Sequence, residues 1–113
     1  MITTPATSIV PPTDFKLRLS CSDDSFVPAT DYLSITFFTE DKLCYEVVSD
    51  PANNHFKNCK LDNGDLVVLF ENYPFRKGQL YYRAHFRTAD TDFADGQADK
   101  YEKIAKTKIF FVK

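Results

Sequence analysis

Between Leu80 and Arg87 the chain alternates without a break: Leu80, Tyr82, Ala84 and Phe86 are separated by Tyr81, Arg83, His85 and Arg87. A period of two sends successive side chains to opposite faces of an extended strand. A helix, whose faces repeat about every 3.6 residues, would scatter the same apolar set around its whole circumference. This segment therefore has to be a half-buried strand, and a strand needs neighbours.

The sequence supplies them. Phe15, Leu17 and Leu19 alternate with Lys16, Arg18 and Ser20, and Leu33, Ile35 and Phe37 alternate with Ser34 and Thr36. Leu43, Tyr45 and Val47 follow the short polar reversal Glu40-Asp41-Lys42, so these two runs read as a hairpin. Asn63-Gly64 is the strongest turn signal, because both residues tolerate positive φ. The unbroken run Leu66-Val67-Val68-Leu69-Phe70 after it reads as a central strand, apolar on both faces. A turn bracketed by Pro74 and Gly78, an acidic loop from Ala89 to Asp99, and extended segments near Tyr101–Ala105 and Lys108–Val112 complete the chain. Helical spacing is sustained nowhere. The expected fold is all-β, a single antiparallel β-sandwich of about 7–8 strands over residues 13–113. Residues 1–12 carry Pro5, Pro11 and Pro12 and no charged side chain, and read as an extended N-terminal arm.

Composition agrees with sheet. Eleven Phe and six Tyr stand beside no Trp and one Met, and aromatic residues favour pleated, half-buried surfaces. With 113 residues there is room for one domain and one core. A net charge of −2 argues against a dedicated nucleic-acid binder, which needs a basic excess to neutralise phosphates. The local exception, Lys100, Lys103, Lys106, Lys108 and Lys113, reads as a solvated strand face that blunts a sheet edge. Cys21, Cys44 and Cys59 are odd in number and form no CxxC pair, which suggests reduced thiols. Met1-Ile2-Thr3-Thr4-Pro5 resembles no secretion signal, and no stretch approaches the ~20 apolar residues of a membrane span. The expectation is a chain made in a cytoplasm, with no membrane partner.

Catalysis requires converging reactive groups, and few are present. His55 lies in a polar loop, and His85 shares a strand face with Arg83 and Arg87. Cys59 reads as a small buried hydrophobe. No nucleophile elbow, phosphate loop or zinc-protease motif occurs, and the three glycines form no cluster. Asp90-Thr91-Asp92-Phe93-Ala94-Asp95-Gly96 gathers carboxylates, but its glycine falls one position late for a calcium-binding EF-hand loop and Phe93 interrupts the set. The expected reading is a tight Asp95-Gly96 turn with Phe93 tucked back against the sheets. No enzyme activity, cofactor or metal is expected.

A binding role remains. Tyr73, Phe75, Tyr81 and Tyr82 gather around one turn and its following strand, more aromatic surface than a small core needs to bury. Aromatic residues are enriched at protein interfaces. Candidate partner contacts are thus Tyr73, Phe75 and Tyr81 in this cluster, Phe93 in the acidic loop, and Ile9, Val10 and Pro11 in the arm.

Asp14-Phe15-Lys16-Leu17-Arg18-Leu19, the Asn58-Cys59 step, Leu66-Val67-Val68-Leu69 followed by Gly78-Gln79-Leu80, the Phe93-Ala94-Asp95-Gly96 loop and the final Ile109–Val112 strand occur together here. With this set the chain resembles the small β-sandwich virion accessory or adaptor proteins of crAss-like phages and Bacteroidales prophages, similar to N-terminal adaptor domains of baseplate and fibre proteins. Ala94 stands where relatives often carry Pro. The resemblance implies a non-enzymatic structural part of a bacteriophage particle, a capsid auxiliary or decoration protein or a head or tail fibre adaptor. Its partners would be other phage structural proteins of the capsid, neck or fibre, with a homo-oligomer compatible. It would be assembled in the host cytoplasm and reside in the virion. The alternative is a bacterial immunoglobulin-like binding module that recognises glycan or protein.

Overall fold

The computed structural model describes residues 2–21 and 26–112. In chain order its strands are β1 (Ile2–Thr3), β2 (Thr7–Ile9), β3 (Phe15–Arg18), β4 (Ser20–Cys21), β5 (Tyr32–Phe38), β6 (Cys44–Asp50), β7 (His55–Lys57), β8 (Cys59–Asp62), β9 (Asp65–Phe70), β10 (Gly78–Ala89) and β11 (Gln97–Phe111). One turn of 3-10 helix at Pro51–Asn53 is the sole helical element among the described residues. A six-stranded sheet has the order β2-β11-β10-β5-β6-β7, a three-stranded sheet the order β3-β9-β8, and β1 pairs with β4. The fold is all-β with two main sheets.

Local chemistry explains the turns. Asn63 and Gly64 both take positive φ, 50° and 83°, and close a two-residue hairpin in which Asp62 faces Asp65. Lys42 at φ 67° reverses β5 into β6, with the Thr39 hydroxyl donating to Asp41 and Lys42 N donating to Thr39 O at 3.0 Å. β9 lies between β3 and β8, as its doubly apolar sequence requires.

Nine of the strands have three residues or more, against the seven or eight expected; two causes add strands, and the fusion of Tyr101–Ala105 and Lys108–Val112 into β11 removes one. Residues His55 to Asp62 form two strands, β7 and β8, parted at Asn58, whose φ of 57° turns the chain from the edge of one sheet to the edge of the other. Asn58 ties the two edges: its Nδ2 donates to Glu46 O (2.8 Å), and its carbonyl accepts from Leu69 N (2.8 Å). The second cause is the N-terminal segment. Residues 1–12, read as an arm, contain β1 and β2, and both pair within the chain. The β2–β11 pairing is parallel, Thr7 to Ile9 alongside Ile109 to Phe111, so the sheets are not wholly antiparallel.

The core lies between the sheets. Phe70 stacks on Phe15 (4.5 Å between centroids) and on Tyr45 (5.1 Å), and meets Phe37 of the facing sheet edge-on. Phe111 packs against Tyr73 and Phe75. The buried phenols have partners: Tyr45 donates to Leu69 O and Tyr73 to Thr13 O, both at 2.7 Å. Burial pushes both phenols up from their ordinary range.

Candidate functional site

β10 and β11 pair over nearly their whole lengths, so the acidic loop sits at the end of a long hairpin. β5 covers β10 from Tyr81 to Arg87, and β2 covers β11 only at Ile109–Phe111. From Gln97 to Thr107 no described strand pairs with the outer edge of β11.

β11 is one strand where two extended segments were expected, because two irregularities lie inside it. Opposite Tyr82 is Ala105, and opposite Ala84 is Glu102, so Arg83 alone faces Lys103 and Ile104. Such an extra residue breaks the alternation of faces. Tyr101 and Ile104, three residues apart, consequently flank one groove. The second irregularity sets Leu80 against Thr107, Lys108 and Ile109. Gln79 Nε2 stitches it by donating to Thr107 O (2.7 Å) and Ile109 O (3.2 Å), and the Thr107 hydroxyl donates to Leu80 O (2.8 Å).

On the outer face of the hairpin His85 stacks parallel on Tyr101, 4.4 Å between ring centres, and meets Tyr32 of β5 edge-on at 5.5 Å. Asp99 Oδ1 lies 2.8 Å from His85 Nε2 and accepts from Arg87 Nε at 2.9 Å. The hydrogen bond from Arg87, and then that with His85, hold the Asp99 carboxyl below the usual range. The rings and the charge pair together build a fixed outer face on three strands.

A cavity of about 470 Å3 opens beside this row, between Arg83, His85, Tyr101, Lys103 and Ile104. Tyr101 is 64 % exposed and Ile104 79 %, well above what two large apolar side chains leave to solvent in a core. Glu102 also lines the groove, and its Oε2 accepts from the Tyr82 hydroxyl at 2.5 Å.

At the hairpin tip the loop is shaped by its own backbone. Asp90 N donates to Gly96 O and Gly96 N to Phe93 O, both at 2.9 Å. The carboxylates of Asp90 and Asp95 accept from Asp92 N and Gln97 N, each at 3.0 Å. The residues are thus turned to the loop's own N–H groups, and no group of three or more metal-ligating side chains occurs among the described residues. Phe93 does not tuck back: it is 54 % exposed, because the tight turns end the hairpin beyond the edge of β5 and leave the ring no sheet to cover.

The seven residues expected at a partner surface divide. Ile9, Tyr73 and Phe75 are in the core, a correction with a clear cause. The parallel β2–β11 pairing turns Ile9 inward, and Tyr73 and Phe75, on either side of Pro74, both pack on Phe111. Val10 and Phe93 reach the surface, and Tyr81 and Pro11 are half-buried. Tyr81 stacks on Phe38 and donates to Glu40 Oε1 at 3.0 Å. Tyr101 and Ile104 were not anticipated, since they lie among lysines in a stretch without clean alternation.

Cys59 is buried, with Sγ 3.0 Å from Val48 O, and desolvation pushes its thiol up to about 11. Cys44 is exposed. No helix among the described residues is long and apolar enough to cross a membrane. No family model matches the sequence, and no curated protein and no solved structure matches the chain.

Proposed function

We propose that this chain is a non-enzymatic structural component of a bacteriophage particle, a capsid auxiliary or decoration protein or a head or tail fibre adaptor, that docks on neighbouring virion proteins. In this reading the two sheets are the halves of a β-sandwich and residues 1–12 are an arm that straps onto a neighbour. The observation that carries it is the set of exposed apolar side chains on, or just beyond the ends of, the strands β2, β10 and β11. Phe93, Tyr101 and Ile104 line the hairpin, and Val10, Phe110 and Val112 lie towards the other end of β11. Large apolar groups presented on rigid strands are what a protein interface buries at low entropic cost. The resemblance to phage accessory proteins supplies the kind of neighbour.

Two features favour docking over catalysis. The histidine on the outer face is engaged with Asp99 and stacked on Tyr101. The buried thiol, at about 11, is almost wholly protonated near neutrality and so is a poor nucleophile. The strap reading needs β2 to leave its own β11 for a neighbour's. That register is three residues long, and exchange would recover the same bonds.

Peptide mass spectrometry of gradient-purified particles from the source culture tests the proposal. The chain is expected among the virion proteins, at high copy number for a decoration protein and low for an adaptor. Its absence from the particles would overturn the reading.

The exposed ring of Tyr101, backed by His85, favours one second reading, an immunoglobulin-like module that stacks a sugar there. A glycan array run with the native chain and Tyr101→Ala decides it: retention that disappears in the variant supports this reading, and no retention eliminates it.

A further inference from the structure

We infer that the domain pairs with a second copy of itself, the tip loop of each copy seated in the outer-face groove of the other. The two surfaces are complementary in charge and alike in apolar character. The loop from Asp90 to Gly96 carries three carboxylates and no cation, and it presents the exposed ring of Phe93 on a backbone fixed by its own hydrogen bonds. The groove is apolar at its walls, formed by Tyr101 and Ile104, and is rimmed by the cations of Arg83 and Lys103. Its acid, Glu102, is turned to the Tyr82 hydroxyl. A volume of about 470 Å3 admits a phenyl ring with its flanking backbone.

The hairpin's geometry makes the contact reciprocal. Loop and groove lie at two heights of the same two strands, so two copies laid antiparallel satisfy both contacts at once and close as a twofold pair. Burial of Phe93, Tyr101 and Ile104 in both copies would supply the apolar centre, and the carboxylate–cation contacts at the rim would set the register. The inference concerns the chain's contact with its own copy, and holds whether or not its other neighbours are virion proteins.

Sedimentation velocity on the full chain over a rising concentration series tests it, with two variants at exposed positions that leave the core intact. The native chain is expected to move from monomer to dimer. Phe93→Ala and Ile104→Glu should each weaken dimerisation at least tenfold, with circular dichroism unchanged. An equimolar mixture of the two should recover part of it, because the first copy keeps its groove and the second its Phe93. A native chain that stays monomeric at every concentration, variants that dimerise as the native chain does, or a mixture no better than its components would each overturn the inference. Such failures would leave docking on other proteins to be read from the particles themselves.

Discussion

The interior between the sheets and the outer face of the β10–β11 hairpin are built from the same kind of residue and used in opposite ways. Between the sheets Phe15, Phe37, Tyr45, Phe70, Tyr73 and Phe111 interlock, and the phenols of Tyr45 and Tyr73 are tied to backbone carbonyls. On the hairpin, Tyr101 stacks on His85 by one face, and Ile104 and Phe93 stand largely in solvent. Aromatic content therefore does not locate the exposed apolar surface. Strand parity does, together with the irregularities that interrupt it: Phe70 is turned inward by the regular pleat of β9, and Tyr101 and Ile104 are brought to one groove by an extra residue in β11.

Truncation inside the core should have the largest effect. Phe70→Ala removes the ring on which Phe15, Tyr45 and Phe37 converge, and at a site this closely packed the loss should be about 3–5 kcal/mol. Urea unfolding of native and variant chains measures it. A loss below about 1 kcal/mol would mean that the sheets do not close over this ring.

A smaller effect tests whether a residue mistaken for a surface contact belongs to the core. Tyr73→Phe keeps the ring against Phe111 and Phe75 and deletes only the hydroxyl that donates to Thr13 O. The expected cost is about 1 kcal/mol, the net worth of a typical hydrogen bond. Replacing Tyr73 by Ala should cost several times as much. If both substitutions cost the same small amount, Tyr73 sits at the surface after all.

How far the fold could be read ahead of the structure follows from which interactions are local. Alternation marks β3, β5, β6 and β10 because a strand with one buried face must show it. Asn63-Gly64 marks its hairpin because the left-handed backbone there is written in two adjacent residues. The parallel pairing of β2 with β11 is different: it joins Thr7–Ile9 to Ile109–Phe111, and three residues of arm carry no period that names a partner a hundred positions away. The Asn58 crossover was half visible, since Asn tolerates positive φ, but its change of sheet depends on where β6 and β9 lie. For the site, Phe93 could be named as an apolar residue in a polar loop, but its exposure could not be read, since the expected tuck depends on where β5 ends. Tyr101 and Ile104 were not legible, because the extra residue opposite Arg83 carries no glycine or proline to announce it.

The outer face predicts the reverse of the core. Tyr101→Ala removes a large ring, but one exposed on all but its His85 face, and stability should change by no more than about 0.5 kcal/mol. Chemical denaturation of this variant beside Phe70→Ala sharpens the contrast: two aromatic truncations in one sheet-rich chain, separated by several kcal/mol. A Tyr101→Ala chain as unstable as Phe70→Ala would show that the outer row is part of the fold's support and unavailable as a docking face.

The smallest effect should come from Asp99, and only in acid. Its carboxyl is held below the usual range first by the hydrogen bond from Arg87 and then by that with His85, so the folded chain gives up this proton more readily than the unfolded one. A carboxylate lowered on folding contributes stability that is present above its unfolded value of about 3.9 and is lost as pH falls through the lower folded value. Below about pH 4 the native chain should therefore lose stability more steeply than Asp99→Asn, which has no charge to neutralise there. Thermal melts of both from pH 7 to pH 2 would resolve the two slopes. Because the pair is exposed to solvent and salt, the difference should shrink as ionic strength rises. Identical acid slopes at low salt would mean that Asp99 orients the ring of His85 without contributing to stability, which would leave the stack on Tyr101 as the element that fixes the outer face.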